Sequence, residues 1–410
     1  MDNKEFINAI YKKYELNTKE KNAFYNLHVY KAESRLILKT VATFTLAFLL
    51  LACILYAGVT ATRYFKNLSL NPSFTSNLGQ SDMNDVWIGT FQLVWNDAMD
   101  KITHGPIQFE DGESQMANEL NKRSFTADML SDDSYYKISG ATTPKLKEDI
   151  KEALQSKFNE TSRILDLFPW ENDNGYILYA MLKKEFHFLV PFSEQRYEKF
   201  GDSEEYVRYF GADVATGEES FKNIEVLFHN SDTEFAVRLL TKEGEDVLLY
   251  RTDNNSLSFE DAYNEMLDKE KMYTGNKNFI DGDFLRVPYI QFSKEINYDE
   301  LCGRIIKGTS LYISQAIQTI DFELNNTGGS VKSEAGMMFM CASDQPPRYF
   351  KFNDDFYLFL KETDKEKPYM ALRVDDTDIL ETTENRWGEE ITSNKTEDVT
   401  ITNSQINTTL

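Results

Sequence analysis

The sequence has 410 residues, of which 41% are hydrophobic, 13% aromatic and 27% charged. That is enough apolar material for a sizeable core, so wholesale disorder is excluded, and only 19 glycines and 9 prolines exclude a collagen-like or Pro-rich chain. Three cysteines cannot build a disulfide framework or a Cys-rich zinc module, and the net charge of −23 is unevenly spread.

The charge divides at residues 40–62, TVATFTLAFLLLACILYAGVTAT, which carry no charged side chain. As a helix at 1.5 Å per residue this run spans about 34 Å, against a hydrocarbon core of about 30 Å. Lys39 stands at one end and Arg63 and Lys66 at the other, with Tyr56 and Tyr64 placed for the headgroup layer. A cleaved signal peptide has a short basic start and a shorter apolar core, and here 39 residues come first. A core helix is rarely apolar all round for six turns. The run therefore predicts one N-terminal transmembrane helix in contact with the lipid bilayer. Residues 1–66 hold ten Lys/Arg and five Asp/Glu, a net of +5, which leaves −28 for the rest. Eight of those ten basic residues precede the run, so residues 1–39 are expected in the cytosol and the C-terminal part outside the plasma membrane. A segment at −28 repels nucleic acid, which is excluded as a partner, and anionic lipid alike.

In chain order, residues 1–39 read as one or two short helices with Phe6, Ile10 and Tyr14 on one stripe, a solvated flank or a docking segment. Residues 63–86 are polar and read as a stalk. A folded region is expected from 87 to 380. Ile88, Phe91, Trp95, Ala98 and Ile102 predict a helix over 87–102, and 103–142 reads as short helices and loops. Thr143-Pro144 is a cap and first-turn proline for a helix with Leu146, Ile150, Ala153, Leu154 and Phe158 on one face. The period then changes to two, predicting strands at Tyr176–Leu182, Glu185–Phe192, Tyr206–Phe210, Ile224–His229, Phe235–Thr241 and Val247–Thr252. The last two flank Lys242-Glu243-Gly244-Glu245, a hairpin signal. A helix at 259–272 and a strand at 284–292 follow. Asn297 with Glu300 resembles a capping box for a short helix through Ile305. Further strands are expected at Tyr312–Leu324, Tyr349–Phe352, Phe356–Leu360 and Tyr369–Val374. Helices early and antiparallel strands late make an α+β pattern. The Thr-, Asn- and Glu-rich tail, 381–410, is read as disordered.

Sequence motifs for chemistry are few. His104, His187 and His229 lie far apart, and there is no HExxH, paired Cys-x-x-Cys, Gly-rich phosphate loop or Gly-x-Ser-x-Gly elbow. Asp375, Asp376 and Asp378 lack EF-hand spacing and read as a solvated acidic turn. Cys302 and Cys341 could pair, although free thiols are the simpler reading. No catalytic residue, metal site or cofactor is assigned.

The stretch Ile317–Val374 carries a resemblance. Phe322-Glu323-Leu324-Asn325-Asn326-Thr327-Gly328 is followed by a loop, and then by Phe352-Asn353-Asp354-Asp355-Phe356-Tyr357-Leu358-Phe359-Leu360. This resembles the C-terminal part of serpins, where a hinge leads into an exposed loop of about twenty residues and a Phe-rich strand follows. Upstream, Tyr176–Leu182 with Phe186 and Pro191-Phe192 is similar to the family's central strand. The resemblance implies a serpin-like fold, with helices packed on mainly antiparallel sheets and an exposed C-terminal loop. Departures are Asn326 and Thr327 at the hinge glutamates, no alanine run, Asp355 for a proline, and Met370-Ala371-Leu372 for Phe-x-Gly.

In that family a cleaved loop inserts as a new strand and traps the protease. Insertion requires alternate residues to fit an interior. From Gly328 onward, Gly329, Val331, Ser333, Ala335 and Met337 share one face, and Ser330, Lys332, Glu334 and Gly336 the other. A slip of one residue would bury Lys332 and Glu334. The family's spacing puts a reactive bond near Ala342-Ser343, within Met340, Cys341, Ala342, Ser343 and Asp344, suited to an elastase- or subtilisin-like protease. The degenerate hinge favours a non-inhibitory binding or signalling module, with an extracellular protease or another protein as partner. Protease trapping is the alternative, and an unrelated α+β ectodomain of an enzyme is a second one.

Overall fold

A computed structural model describes residues 68–76, 84–170, 175–217, 219–254, 256–327 and 347–383, all within one unit, 67–410. The 1–39 segment, the 40–62 run, the loop at 328–346 and the tail beyond 383 lie outside the described residues. Among the described residues no helix is long and apolar enough to cross a membrane.

Apolar runs late in the chain set the α+β architecture. Strands β14 (Phe356–Glu362) and β15 (Met370–Val374) are buried at every position, as strands covered on both faces must be. They pair antiparallel, Leu358 opposite Leu372. On one side β14 pairs with β9 (Glu245–Arg251), followed by β8 (Phe235–Leu240) and β7 (Ile224–His229). On the other, β15 pairs with β2 (Asn84–Ile88), and β1 (Leu68–Leu70) runs parallel to β2 at the edge. The order in this seven-stranded sheet is β1-β2-β15-β14-β9-β8-β7. The expected hairpin joins β8 to β9, with Gly244 at φ 80 in its turn, a conformation glycine adopts without strain.

A second sheet is built on β6 (Tyr206–Ala212), which pairs with β5 (Ser193–Lys199), β10 (Phe284–Pro288) and β16 (Thr382–Thr383), while β13 (Tyr349–Lys351) runs parallel to β10. Gly211 allows the close approach of β10, because a Cβ there would stand 1.8 Å from the Leu285 carbonyl oxygen. Two hairpin-like pairs complete the strands: β3 (Tyr135–Ala141) with β4 (Tyr176–Leu182), and β11 (Ile290–Asn297) with β12 (Ile317–Leu324).

The helices are α1 (Thr90–Ala98), α2 (Gln115–Leu120), α3 (Pro144–Phe158) and α4 (Phe259–Met272). In α3 the Thr143 hydroxyl accepts from Leu146 N–H at 3.1 Å, with Pro144 in the first turn, and Ile150 and Leu154 are fully buried. The main core lies around the two larger sheets. Satellite clusters sit under α1 and α2, around Trp95, Tyr298 and Leu301, and under α3, around Trp170 and Tyr179.

Several expectations are corrected. The folded region begins at Leu68, not at 87: part of the expected stalk is β1, the buried Phe74 and β2. The expected helix at 87–102 starts at Thr90, because Trp87 and Ile88 pair with Ala371 and Met370 of β15. It continues through a wider turn at Met99–Thr103 and stops at His104, φ 52. The loop reading of 103–142 missed β3, whose half-buried residues show no alternation. Glu185–Phe192 is not a strand. Its backbone is bonded instead to the β8–β9 hairpin and to Asn326 and Thr327, while Phe186, Phe188 and Phe192 pack together. The expected strand 284–292 breaks after Pro288, where the burial alternation slips, and feeds two different sheets. No capping box forms at Asn297, because the Glu300 carboxylate accepts from Ser114 Oγ at 2.6 Å, and only Asp299–Leu301 form a turn. The start of the tail is ordered: Glu381 pairs with Arg208 at 2.9 Å, and Thr382–Thr383 join β6.

Candidate functional site: a cleft between two strand edges

Among the described residues β4 pairs only with β3, and β12 only with β11. Each strand is left with one edge whose N–H and C=O groups have no ladder partner. Both strands border the same cavity of about 590 Å³, lined by Tyr179–Leu182 of β4 and Ile317–Phe322 of β12. Phe91 of α1, Leu360 and Met370 of the seven-stranded sheet and Tyr369, which precedes β15, line it as well. Two half-paired strands bordering one cavity of mixed polar and apolar lining form a template for a further extended strand.

Polar contacts fix the walls. Gln318 of β12 is buried, donates to Thr90 Oγ1 at 2.6 Å and accepts from the Tyr298 hydroxyl at 2.6 Å. Arg163, after α3, reaches Asp321 of β12 at 3.1 Å and Ser293 of β11 at 3.4 Å. Both ends of the Arg163–Asp321 pair are mostly exposed, so it adds about 0–1 kcal/mol.

Beyond β4, Lys184 meets two buried carboxylates, Glu245 and Glu362, each at 2.6 Å. Those glutamates face one another in the β9–β14 register, a like-charge pairing that a cation between them must offset. Burial acts to raise the Glu362 pKa, but hydrogen bonds from Lys184 and Ser131 outweigh it and hold the carboxyl down at about 2. Burial keeps Glu245 above the usual carboxylate range in spite of Lys184. Sequence reasoning missed this cluster. Its only signal is charge at the ends of strongly apolar strands.

Of the expected hinge and loop residues, Asn326 and Thr327 are described. The Asn326 carbonyl accepts from Phe192 N–H at 2.7 Å, and its side-chain amide donates to the Phe192 carbonyl at 3.1 Å. The Thr327 carbonyl accepts from Phe188 N–H at 3.3 Å. His187 in turn holds the β8–β9 turn: its N–H donates to Glu243 at 2.7 Å, and its Nδ1 lies 2.8 Å from the same carboxylate. Gly328, Gly329, Val331, Ser333, Ala335, Met340, Cys341, Ala342 and Ser343 lie outside the described residues. The chain is described again from Pro347. Arg348 locks that end: its guanidinium donates to Asp283 at 2.6 Å and to the carbonyls of Asn276 and Asn278, each at 2.6 Å.

The remaining candidates resolve individually. His104 is exposed, with Nδ1 2.8 Å from the Asp100 carbonyl oxygen. His229 is packed between Phe235 and Phe350, and burial lowers its pKa. Cys302 is a free thiol whose pKa burial raises, and Cys341 lies outside the described residues. Among the described residues no group of His, Cys, Asp or Glu could hold a metal ion. Asp375, Asp376 and Asp378 form a turn around buried Asn84, whose Oδ1 accepts from Asp375 N–H at 2.8 Å and Asp376 N–H at 3.2 Å.

Beside that turn lies Asp355. Burial, followed by the charges of Asp375 and Asp354, pushes its pKa up to about 7. Between pH 4 and 7 the folded state therefore holds a proton that the unfolded chain has released, and stability falls as pH rises through that window. Asp355→Asn is expected to remove this slope and raise stability at pH 8 by about 2 kcal/mol, half of what the full shift would give. Denaturant midpoints at pH 5 and pH 8 check this, and an unchanged slope would refute it.

No family model matches the chain, and no curated protein matches it. Solved structures do. Serpin48, a highly specific serpin of the insect Tenebrio molitor, is 12% identical at TM-score 0.39, with 77% of this chain and 97% of that one covered. Human thyroxine-binding globulin with its ligand is 11% identical at TM-score 0.38, covering 73% of this chain and 74% of that one. Mouse protein-Z dependent protease inhibitor is 12% identical at TM-score 0.35, covering 68% and 77%. In another match, to thyroxine-binding globulin with thyroxine, the chain spans 65% of that protein's length. Likenesses this distant assign no residue of this chain a role.

Proposed function

We propose that the chain is a single-pass, membrane-anchored surface protein whose serpin-like ectodomain takes an extended strand into the β4–β12 cleft and works as a binding module. The observation that carries this reading is the pair of half-paired strands bordering one cavity. Residues 40–62 supply the anchor in the bilayer and residues 1–39 the cytosolic flank, with 67–380 outside. The bonds that hold Asn326 and Thr327 to Phe192 and Phe188 oppose release of the hinge, which favours binding over trapping. A second reading, protease trapping with a reactive bond near Ala342-Ser343, is favoured by the alternation of Gly329, Val331, Ser333 and Ala335 in the sequence.

The full-length chain in detergent can be nicked with elastase and its thermal unfolding compared before and after. An unchanged or lower melting temperature after a cut within 340–344 is the expected result. A marked rise would mean that the loop inserts and that trapping is the correct reading. A synthetic peptide of residues 329–338 added to the uncut chain should bind saturably. No binding would refute the strand-accepting cleft.

A further inference from the structure

Six Asn-x-Ser/Thr triplets follow Arg63, at Asn67, Asn159, Asn254, Asn325, Asn394 and Asn407, and none precedes it. Such triplets are acceptors for N-linked oligosaccharide in secreted chains. Asn325 stands out by position, just after β12 and two residues beyond Glu323, which lines the cleft. Its Oδ1 accepts from both the Thr327 hydroxyl at 2.8 Å and the Thr327 N–H at 2.9 Å. Its Nδ2 donates to Oε1 of Glu323, an exposed residue, at 2.7 Å. The oxygen of the amide is thus engaged by Thr327, and the nitrogen, bonded to an exposed side chain, carries a second hydrogen.

We propose that Asn325 carries an N-linked oligosaccharide, and that its bulk at the end of β12 keeps the hinge in its present turn. The inference rests on the extracellular reading above. In the transfer, Nδ2 attacks the anomeric carbon of a lipid-diphosphate-linked oligosaccharide. The carbon–nitrogen bond forms as the carbon–oxygen bond to the diphosphate breaks, the amide gives up one proton, and the lipid diphosphate leaves. The remaining Nδ2–H can still donate to Glu323, and both bonds to Oδ1 persist, so the turn is compatible with the modification. A glycan on that nitrogen would have to be carried along if β12 were to continue straight into a new strand.

The test uses the full chain made in cells with a secretory pathway. Enzymatic deglycosylation in heavy-oxygen water followed by peptide mass spectrometry should mark Asn325 as converted to Asp. Asn325→Gln and Thr327→Ala should each remove one glycan, whereas Thr327→Ser should keep it. Exposed Asn159, in the triplet Asn159-Glu160-Thr161, is the internal control. Occupancy at Asn159 without occupancy at Asn325 would overturn the proposal and leave the extracellular reading standing. If neither is occupied and external protease spares residues 63–410 on intact cells, the extracellular reading fails and the proposal with it. After elastase nicking, the melting temperature should rise in Asn325→Gln and not in the glycosylated chain. An identical response in both would overturn the steric role.

Discussion

Replacing Arg373 with leucine is expected to lower stability by about 3–5 kcal/mol, the cost of leaving a buried charge without its partner. Arg373 lies in β15 and is 2% exposed, directly opposite Asp85 of β2, with the two side chains 2.6 Å apart. Burial already holds the Asp85 carboxyl above its ordinary pKa, with Arg373 as the main opposing influence. Without the guanidinium, Asp85 must take up a proton or stay ionised in a buried site with only neutral donors such as Asn71, 3.1 Å away, and either outcome favours the unfolded chain at neutral pH. Urea midpoints measure the loss. The double variant Asp85→Asn with Arg373→Leu should lose less than the sum of the single variants, because the orphaned charge is gone. A loss below about 1 kcal/mol in the single variant would mean that the pair is solvated in solution, as exposed pairs are.

Lys184→Met should cost a similar amount, about 3–5 kcal/mol at pH 7, for a related reason. The substitution leaves Glu245 and Glu362 opposite one another, 3% and 4% exposed, with no cation between them. The contribution of Glu362 to the pH dependence then changes sign. In the native chain the Glu362 pKa is held at about 2, below its unfolded value, so its contribution is present above pH 4.5 and fades as pH falls toward 2. Without Lys184 the two glutamates raise each other's pKa, the folded state binds the extra proton, and stability should increase as pH is lowered from 7 to 5. Adding Glu362→Gln should recover much of the loss at pH 7. A pH profile parallel to that of the native chain would refute the assignment of Lys184 as the bridging cation.

What could be read in the sequence was local. Period-two runs such as Ile224–His229 and a helix with its cap at Thr143 carry their own signals within a few residues. Features that depend on remote partners were hidden. Asn84 and Asp85 make residues 63–86 look like a solvated stalk. They are buried because Asp375, Asp376 and Arg373, some 290 positions away, satisfy them. The alternation of Phe186, Phe188, Val190 and Phe192 is real, but a strand also requires a neighbour, and that backbone is engaged by Asn326, Thr327 and the β8–β9 turn. Asn326 and Thr327 drew notice in the sequence only through a family resemblance, and their bonds to Phe192 and Phe188 had no local signal. The cleft was not legible, because a gap between two separately paired strands has no sequence signature. Only the tertiary arrangement brings β4 and β12 to one cavity.

The position of β1 has a mechanical side. A pull on the chain from its N-terminal side enters the described residues at Leu68, and the first element to bear it is a three-residue parallel edge strand. Past the hydrogen bonds of Asn71 to Val86 and Asp85, the next apolar hold is Phe74, 2% exposed and wedged between Trp87 at 4.9 Å and Tyr263 at 6.2 Å. Tension should therefore strip β1 first and release residues 68–73, about 20 Å of extended chain, before Phe74 arrests the motion. The remaining six strands of the sheet would stay loaded but intact. This end of the domain would thus behave as a short shock absorber in series with a rigid body.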